Sequence, residues 1–176
     1  SYVVDNAGIL SSESKSVLEA RLSQIEKSTN GVQFVVYIVR ELPKEFTLEQ
    51  YSLMIAEQNG IGASKQDNGL LLYIAVNDHQ FRWEAGYGME STLNAALLGR
   101  ISRDYMVPEF KNNNYELGIL KAVDVVEKIL LDSNDADIVA LKKESKPSIN
   151  PTAIIWAIFI VLMLIRIALA VRRAKK

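Results

Sequence analysis

Cysteine is absent from the 176 residues, which excludes disulfides, a thiolate nucleophile and Cys-type zinc sites. Histidine occurs once, at His79, so a His-rich metal centre and a triad drawn from several candidate bases are both poorly supported. Charge of one sign is also lacking: 20 Lys and Arg stand against 21 Asp and Glu, for a net charge of −1. No basic run occurs outside the last few residues, so nucleic-acid binding has no electrostatic footprint. There is no internal repeat and no low-complexity segment. Gly86-Tyr87-Gly88 does not extend to G-x-G-x-x-G and does not open a strand–helix–strand unit, which argues against a nucleotide cofactor.

What the chain does have is one long apolar run. Ala153 to Val171 reads AIIWAIFIVLMLIRIALAV and is followed by Arg172, Arg173, Lys175 and Lys176. Residues 152–171 at 1.5 Å rise span about 30 Å, the thickness of a hydrocarbon core. Arg166 interrupts the run near its basic end, where its stem can lie along lipid while the guanidinium reaches the headgroups. A buried core helix would show a polar face, and none appears before Arg166. The expectation is therefore a single transmembrane helix over 152–171, with the lipid bilayer as one partner.

Lys and Arg beside a span stay cytoplasmic, so residues 172–176 are read as a basic inner tail and the domain as lying outside. Lys142, Lys143 and Lys146 make this bias real but not large. Export of such a domain requires a signal peptide, expected to have been removed ahead of Ser1. A tail-anchored protein with its domain in the cytosol is the competing reading. Residues 1–131 form one domain large enough for its own core, and 132–151 form a polar linker, within which 135–144 has the pattern of a short helix.

Local patterns give the elements. Ser11 caps a helix with Val17, Leu18, Leu22 and Ile25 following at helical spacing, stopped by Asn30-Gly31. Residues 32–39 are a β-branched apolar run, read as a buried strand. Thr47 and Gln50 form a capping box for a second helix. Residues 70–76 and 80–85 are strands joined so closely that they form a hairpin. Residues 90–106 fit a third helix ending before Pro108, and 116–131 a fourth. A strand–helix–strand unit followed by a hairpin predicts an α/β fold, a three-layer α/β/α sandwich around a small mixed sheet.

That topology gathers polar residues at one end of the sheet. Asp67-Asn68-Gly69 opens one strand and Gly86-Tyr87-Gly88 closes its antiparallel neighbour. With a helix beginning at Glu90, the N–H groups of that helix point to the same corner. Asp67, Asn68, Glu84 and Glu90 are thus candidate ligands of a hard cation, Ca²⁺ or Mg²⁺, because oxygen donors without His or Cys suit such an ion rather than zinc. Each residue also has a plainer reading. Asp67 can cap its own turn, Glu90 can favour a helix dipole, and Glu84 can sit solvated beside Arg82. His79 at the hairpin tip is read as turn filler, and Arg100 with Asp104 as an i,i+4 ion pair.

Four separated segments in order resemble the TPM domain family: Val4-Asp5-Asn6-Ala7-Gly8-Ile9-Leu10-Ser11, Gly60-Ile61-Gly62 leading to Lys65-Gln66-Asp67-Asn68-Gly69, Trp83 to Glu90, and Gly99-Arg100-Ile101 with Arg103-Asp104 and Pro108. The resemblance runs from about Tyr2 to Leu131. It implies an α/β/α sandwich outside the cytoplasm, often held by a C-terminal span, with divalent-metal binding and acid-phosphatase-like activity reported among members. Its motif carboxylates fall on Asp67, Glu84 and Glu90, and further out on Asp5 and Asp104. Ser91, where a small residue such as Gly is usual, would alter the rim of the site. Two functions are implied. One is an accessory, assembly or repair module for a membrane complex, with a membrane-protein partner. The other is a metal-dependent phosphomonoesterase in which Glu84 acts as base on water.

Overall fold

The computed structural model describes residues 1–62 and 66–144. The segment 152–171, read above as membrane-spanning, and the tail 172–176 lie outside the described residues, as does Lys65. Among the described residues no helix is long and apolar enough to cross a membrane.

Four strands form one sheet in the order β1-β2-β3-β4, with β1 (Val3–Asp5), β2 (Gln33–Val39), β3 (Gly69–Ala75) and β4 (Gln80–Ala85). β1 and β2 are parallel, as are β2 and β3, and β3 pairs antiparallel with β4. All seven residues of β3 are buried, because helices cover both faces and leave a central strand no polar side. On one face α1 (Ser12–Ser28) and α5 (Tyr115–Leu130) pack Leu18, Leu22, Ile119 and Val126 against Phe34, Leu72 and Ile74. On the other, α2 (Leu48–Gln58) packs Ile55 against Leu71, Tyr73 and Ala75. The mixed three-layer α/β arrangement expected from the sequence is therefore what forms.

The caps behave as their residue types require. Ser11 accepts a hydrogen bond from the Ser14 N–H, and Thr47 with Gln50 forms the complete capping box. The strand β1 was not expected. It is three residues long, too short for any periodicity, and exists because its backbone adds to the edge of β2.

The region after β4 differs most from expectation. A 3₁₀ turn occupies Tyr87–Met89, and the helix begins at Ala95, capped by Asn94 on the Leu97 N–H at 2.9 Å, rather than at Glu90. This helix, α3 (Ala95–Ile101), does not stop before Pro108. It continues through a π-helical stretch at Ser102–Met106 into α4 (Val107–Lys111), with Pro108 in the first turn of α4. Proline removes one N–H and crowds the preceding turn, and a local π widening accommodates both. Within the stretch read as linker, α6 (Ala136–Glu144) buries Ile138 and Leu141 in the main core, so the folded part runs on past Leu131.

β1 is held by a carboxylate. Glu19 on α1 accepts hydrogen bonds from the Tyr2 N–H at 2.9 Å and the Val3 N–H at 3.0 Å, and a further one from the Ser1 hydroxyl. Burial pushes the Glu19 carboxyl up, but these bonds outweigh it and hold the group below its ordinary value. A depressed pKa stabilises the fold above the unfolded value of about 4.3, and that contribution is lost as pH falls through the folded pKa. Glu19→Gln is expected to cost about 1 kcal/mol at neutral pH. It should also flatten the acid limb of stability below about pH 4.5 relative to wild type, as measured by denaturant unfolding at a series of pH values.

Candidate functional site

The hairpin brings the two polar segments together as the sequence implied. The Gly86 N–H donates to the Gly69 carbonyl at 2.9 Å and the Gly88 N–H to the Asp67 carbonyl at 3.0 Å. Asp67 takes the left-handed conformation, with φ of 47°, and its Oδ2 accepts the Tyr87 N–H at 2.9 Å. Asn68 is buried, and its amide donates to the Asn30 carbonyl at 2.8 Å.

The glycines here permit backbone to touch backbone. A methyl group on Gly86 would lie 2.2 Å from the Asp67 carbonyl oxygen, and one on Gly88 would lie 2.1 Å from that of Gln66. A methyl on Gly62 would lie 2.2 Å from the Gly69 nitrogen, and one on Gly69 would lie 2.5 Å from the Ile61 oxygen. No side chain larger than hydrogen fits at any of the four. The GIG, DNG and GYG motifs therefore build a knot of three chain passes.

Of the candidate carboxylates, Asp67 and Glu84 line one cleft beside this knot, and Glu90 does not. Glu84 leaves β4 toward α2, where its Oε1 accepts from the Ser52 hydroxyl at 2.6 Å and from Arg82 Nε at 2.5 Å. Arg82 also pairs with Glu49 on α2 at 3.0 Å. Glu90 is exposed beyond the 3₁₀ turn, on a different cleft from Asp67. The helix begins at Ala95, five residues beyond Glu90. Among the described residues, no group of three or more acidic or histidine side chains is placed to hold one ion. The set Asp67, Asn68, Glu84 and Glu90, as engaged here, does not fit a shared Ca²⁺ or Mg²⁺. The Oε1 of Glu84 is engaged by both a guanidinium and a hydroxyl.

The outlying carboxylates have structural partners. Asp5 sits at the opposite end of the sheet and accepts the N–H groups of Gly8 at 2.8 Å and Leu10 at 2.9 Å, closing the loop into α1. Asp104 lies 3.8 Å from Arg100, the expected i,i+4 pair, and 2.8 Å from Arg103. His79 is more than turn filler: its Nδ1 lies 2.8 Å from the Tyr115 hydroxyl, which ties the hairpin tip to the start of α5.

Two clefts flank β4. One, of about 490 Å³, lies beside the glycine knot and is lined by Glu57 and Leu53 of α2 with Asp67, Glu84 and Tyr87. The other, of about 900 Å³, runs along β4 and α3 between Trp83, Leu98, Gly99 and Ser102, with Glu90 and Arg103 on its lining. Residue types alone did not reveal this second cleft. Its only traces in the sequence are a tryptophan on the last strand and a glycine inside a helix.

The model of the TPM domain matches residues 3–129. The N-terminal domain of a protein from P. gingivalis, solved by NMR, is 37% identical, with a TM-score of 0.67 over 73% of this chain and 81% of that one. The BA42 protein of the psychrophilic bacterium Bizionia argentinensis is 19% identical, with a TM-score of 0.59 over 72% of this chain and 84% of that one. The N-terminal domain of cg2496 from Corynebacterium glutamicum is 16% identical, with a TM-score of 0.55 over 77% and 81%. The last two show likeness of fold alone. No curated protein matches the chain.

If the knot is steric, Gly86→Ala and Gly88→Ala should each lower unfolding free energy by more than about 2 kcal/mol, because the clash is with backbone that cannot swing away. Glu90→Gln, at an exposed position, should stay within about 0.5 kcal/mol. Urea unfolding of the three variants checks both statements, and a neutral Gly86→Ala would contradict the close contact.

Proposed function

The chain belongs to the TPM domain family, and from that premise we propose that it is a membrane-anchored accessory or assembly module that works outside the cytoplasm by binding. Anchoring is supported by the apolar run 152–171 and the basic residues after it. The observation that carries binding over catalysis is the state of the Glu84 carboxylate. A base for water attack must turn a carboxylate oxygen to substrate without competing partners, and the Oε1 of Glu84 already accepts from both Arg82 and Ser52 on the α2 side. Asp67, likewise, spends an oxygen on the Tyr87 N–H. The chemistry left at the surface is an exposed Tyr87 and two clefts on either side of one strand, features suited to holding a protein partner of a membrane complex.

The phosphomonoesterase reading makes the opposite forecast for the same residues. Wild-type chain should hydrolyse p-nitrophenyl phosphate no faster than Glu84→Gln or Asp67→Ala, with or without millimolar Ca²⁺ or Mg²⁺. A turnover lost on either substitution would replace binding by catalysis. Calcium titration of the amide spectrum should leave residues 66–69 and 84–90 unmoved, and saturable shifts there would restore an ion to the corner. Anchoring is checked separately: protease added outside intact cells should remove residues 1–144, and deletion of 152–176 should release the domain from membranes. A domain protected from external protease would favour the cytosolic orientation.

A further inference from the structure

β4 is the last strand of the sheet, and its outer edge is open. The Gly86 N–H to Gly69 carbonyl bond fixes the phase of the β3–β4 ladder. In an antiparallel pair, alternate residues turn both backbone groups toward the neighbour and the others turn both away. Glu84 and Arg82 therefore face β3, while Phe81, Trp83 and Ala85 present their N–H and C=O groups to the free edge. No hydrogen bond from a described residue reaches those three from the outer side.

α3 flanks this edge and completes a trough. Trp83 is fixed in it by the bond from its Nε1 to the Ser102 hydroxyl at 2.8 Å. Gly99 lies on the opposite wall, and a methyl group added there would meet nothing within 4 Å. Glycine inside a helix costs about 1 kcal/mol relative to alanine. At Gly99 that cost has no steric cause among the described residues, and its effect is to keep the trough open.

We propose that the β4–α3 trough takes an extended peptide segment of a partner protein, added antiparallel to β4 as a fifth strand. This deepens the accessory-module reading and rests on it for the partner. Strand pairing sets the chemistry of the segment. Residues opposite Phe81, Trp83 and Ala85 point into the trough, over Leu98 and Gly99, and are apolar. Residues opposite Arg82 and Glu84 point to the α2 side, where opposite charges are favoured. Read from its N-terminus, the segment is apolar–basic–apolar–acidic–apolar, its basic residue across from Glu84 and its acidic residue across from Arg82.

The sequence of β4 itself, Phe81-Arg82-Trp83-Glu84-Ala85, has this pattern, so a second copy is the rival occupant. A two-fold axis pairing two β4 strands would bring both α3 helices beneath the same two strands. Helices need 8–10 Å between axes, whereas neighbouring strands lie about 4.8 Å apart. A single peptide strand avoids that conflict.

The test uses the full chain in detergent micelles and a fluorescein-labelled peptide, Thr-Val-Lys-Val-Glu-Val-Thr. The control is the charge-exchanged peptide Thr-Val-Glu-Val-Lys-Val-Thr. Anisotropy should show the first binding roughly tenfold more tightly than the second, and hydrogen exchange should show new protection over residues 80–86. The double variant Arg82→Glu with Glu84→Arg should reverse the preference. Should that variant melt early, Gly99→Leu, which places a side chain in open space, decides the matter by losing binding at least tenfold with its unfolding midpoint retained. Equal affinity for the two peptides, protection elsewhere, or binding undiminished in Gly99→Leu would overturn the proposal. Protection of 80–86 that appears without peptide and grows with protein concentration would assign the edge to a second copy. Absence of binding by either peptide would sink the trough as a strand acceptor, while anchoring outside the cytoplasm would still be judged by protease and deletion.

Discussion

Backbone contact at four glycines is the constraint on which the sheet's working end depends. Gly62 and Gly69 bring the loop after α2 against the start of β3, and Gly86 and Gly88 bring the end of β4 against Gln66 and Asp67. Van der Waals contact between three passes of main chain leaves no freedom to slide, so the antiparallel register of β3 with β4 is fixed from this end. The 3₁₀ turn at Tyr87–Met89 follows from the same contact, since the chain must turn off Asp67 before it can begin a helix. That detour postpones α3 to Ala95 and sets it beside β4, which creates the larger cleft. One steric condition thus accounts for the position of the turn, the helix and the trough.

The sequence made the fold legible wherever a local rule and the tertiary answer coincide. The capping residues Ser11 and Thr47, the buried strands and the 80–85 hairpin arm are all of this kind, because burial on one or both faces writes a period directly into the residues. β1 was invisible because three residues carry no period and its pairing with β2 is contributed by residues more than thirty positions away. Pro108 misled for a different reason. A proline is a reliable stop for a regular helix, but a π segment immediately before it changes the ring's surroundings. α6 was readable as a helix, whereas its attachment to the core through Ile138 and Leu141 depends on neighbours that no local pattern specifies.

The meeting of the two glycine-rich loops was legible in the sequence, whereas the partners of the carboxylates around it were not. Asp, Asn and Gly in tight loops serve cation ligation and close backbone packing equally well, since both need left-handed turns and small residues. What separates the two is the partner of each oxygen. An ion site leaves carboxylates facing one another, whereas here Asp67 faces an N–H and Glu84 faces a guanidinium. The side of β4 on which Glu84 falls sets its partners. It shares that face with Arg82, opposite Glu49 and Ser52 of α2.

The two sheet edges are unequal in a way that bears on binding. β1 is three residues long, and its chain is tied to α1 through Glu19, so it offers little to a further strand. β4 is six residues long, and only its charged residues discourage indiscriminate pairing. A five-residue strand addition is weak alone, because each net hydrogen bond contributes only about 1 kcal/mol and the segment must be ordered first. On the reading proposed here, both partners share one membrane, and a tether raises the effective concentration to the millimolar range. Weak, charge-selective pairing then suffices for occupancy on the membrane while remaining negligible in solution. On that same reading, the chain's apolar run and its open edge would be complementary halves of one binding device.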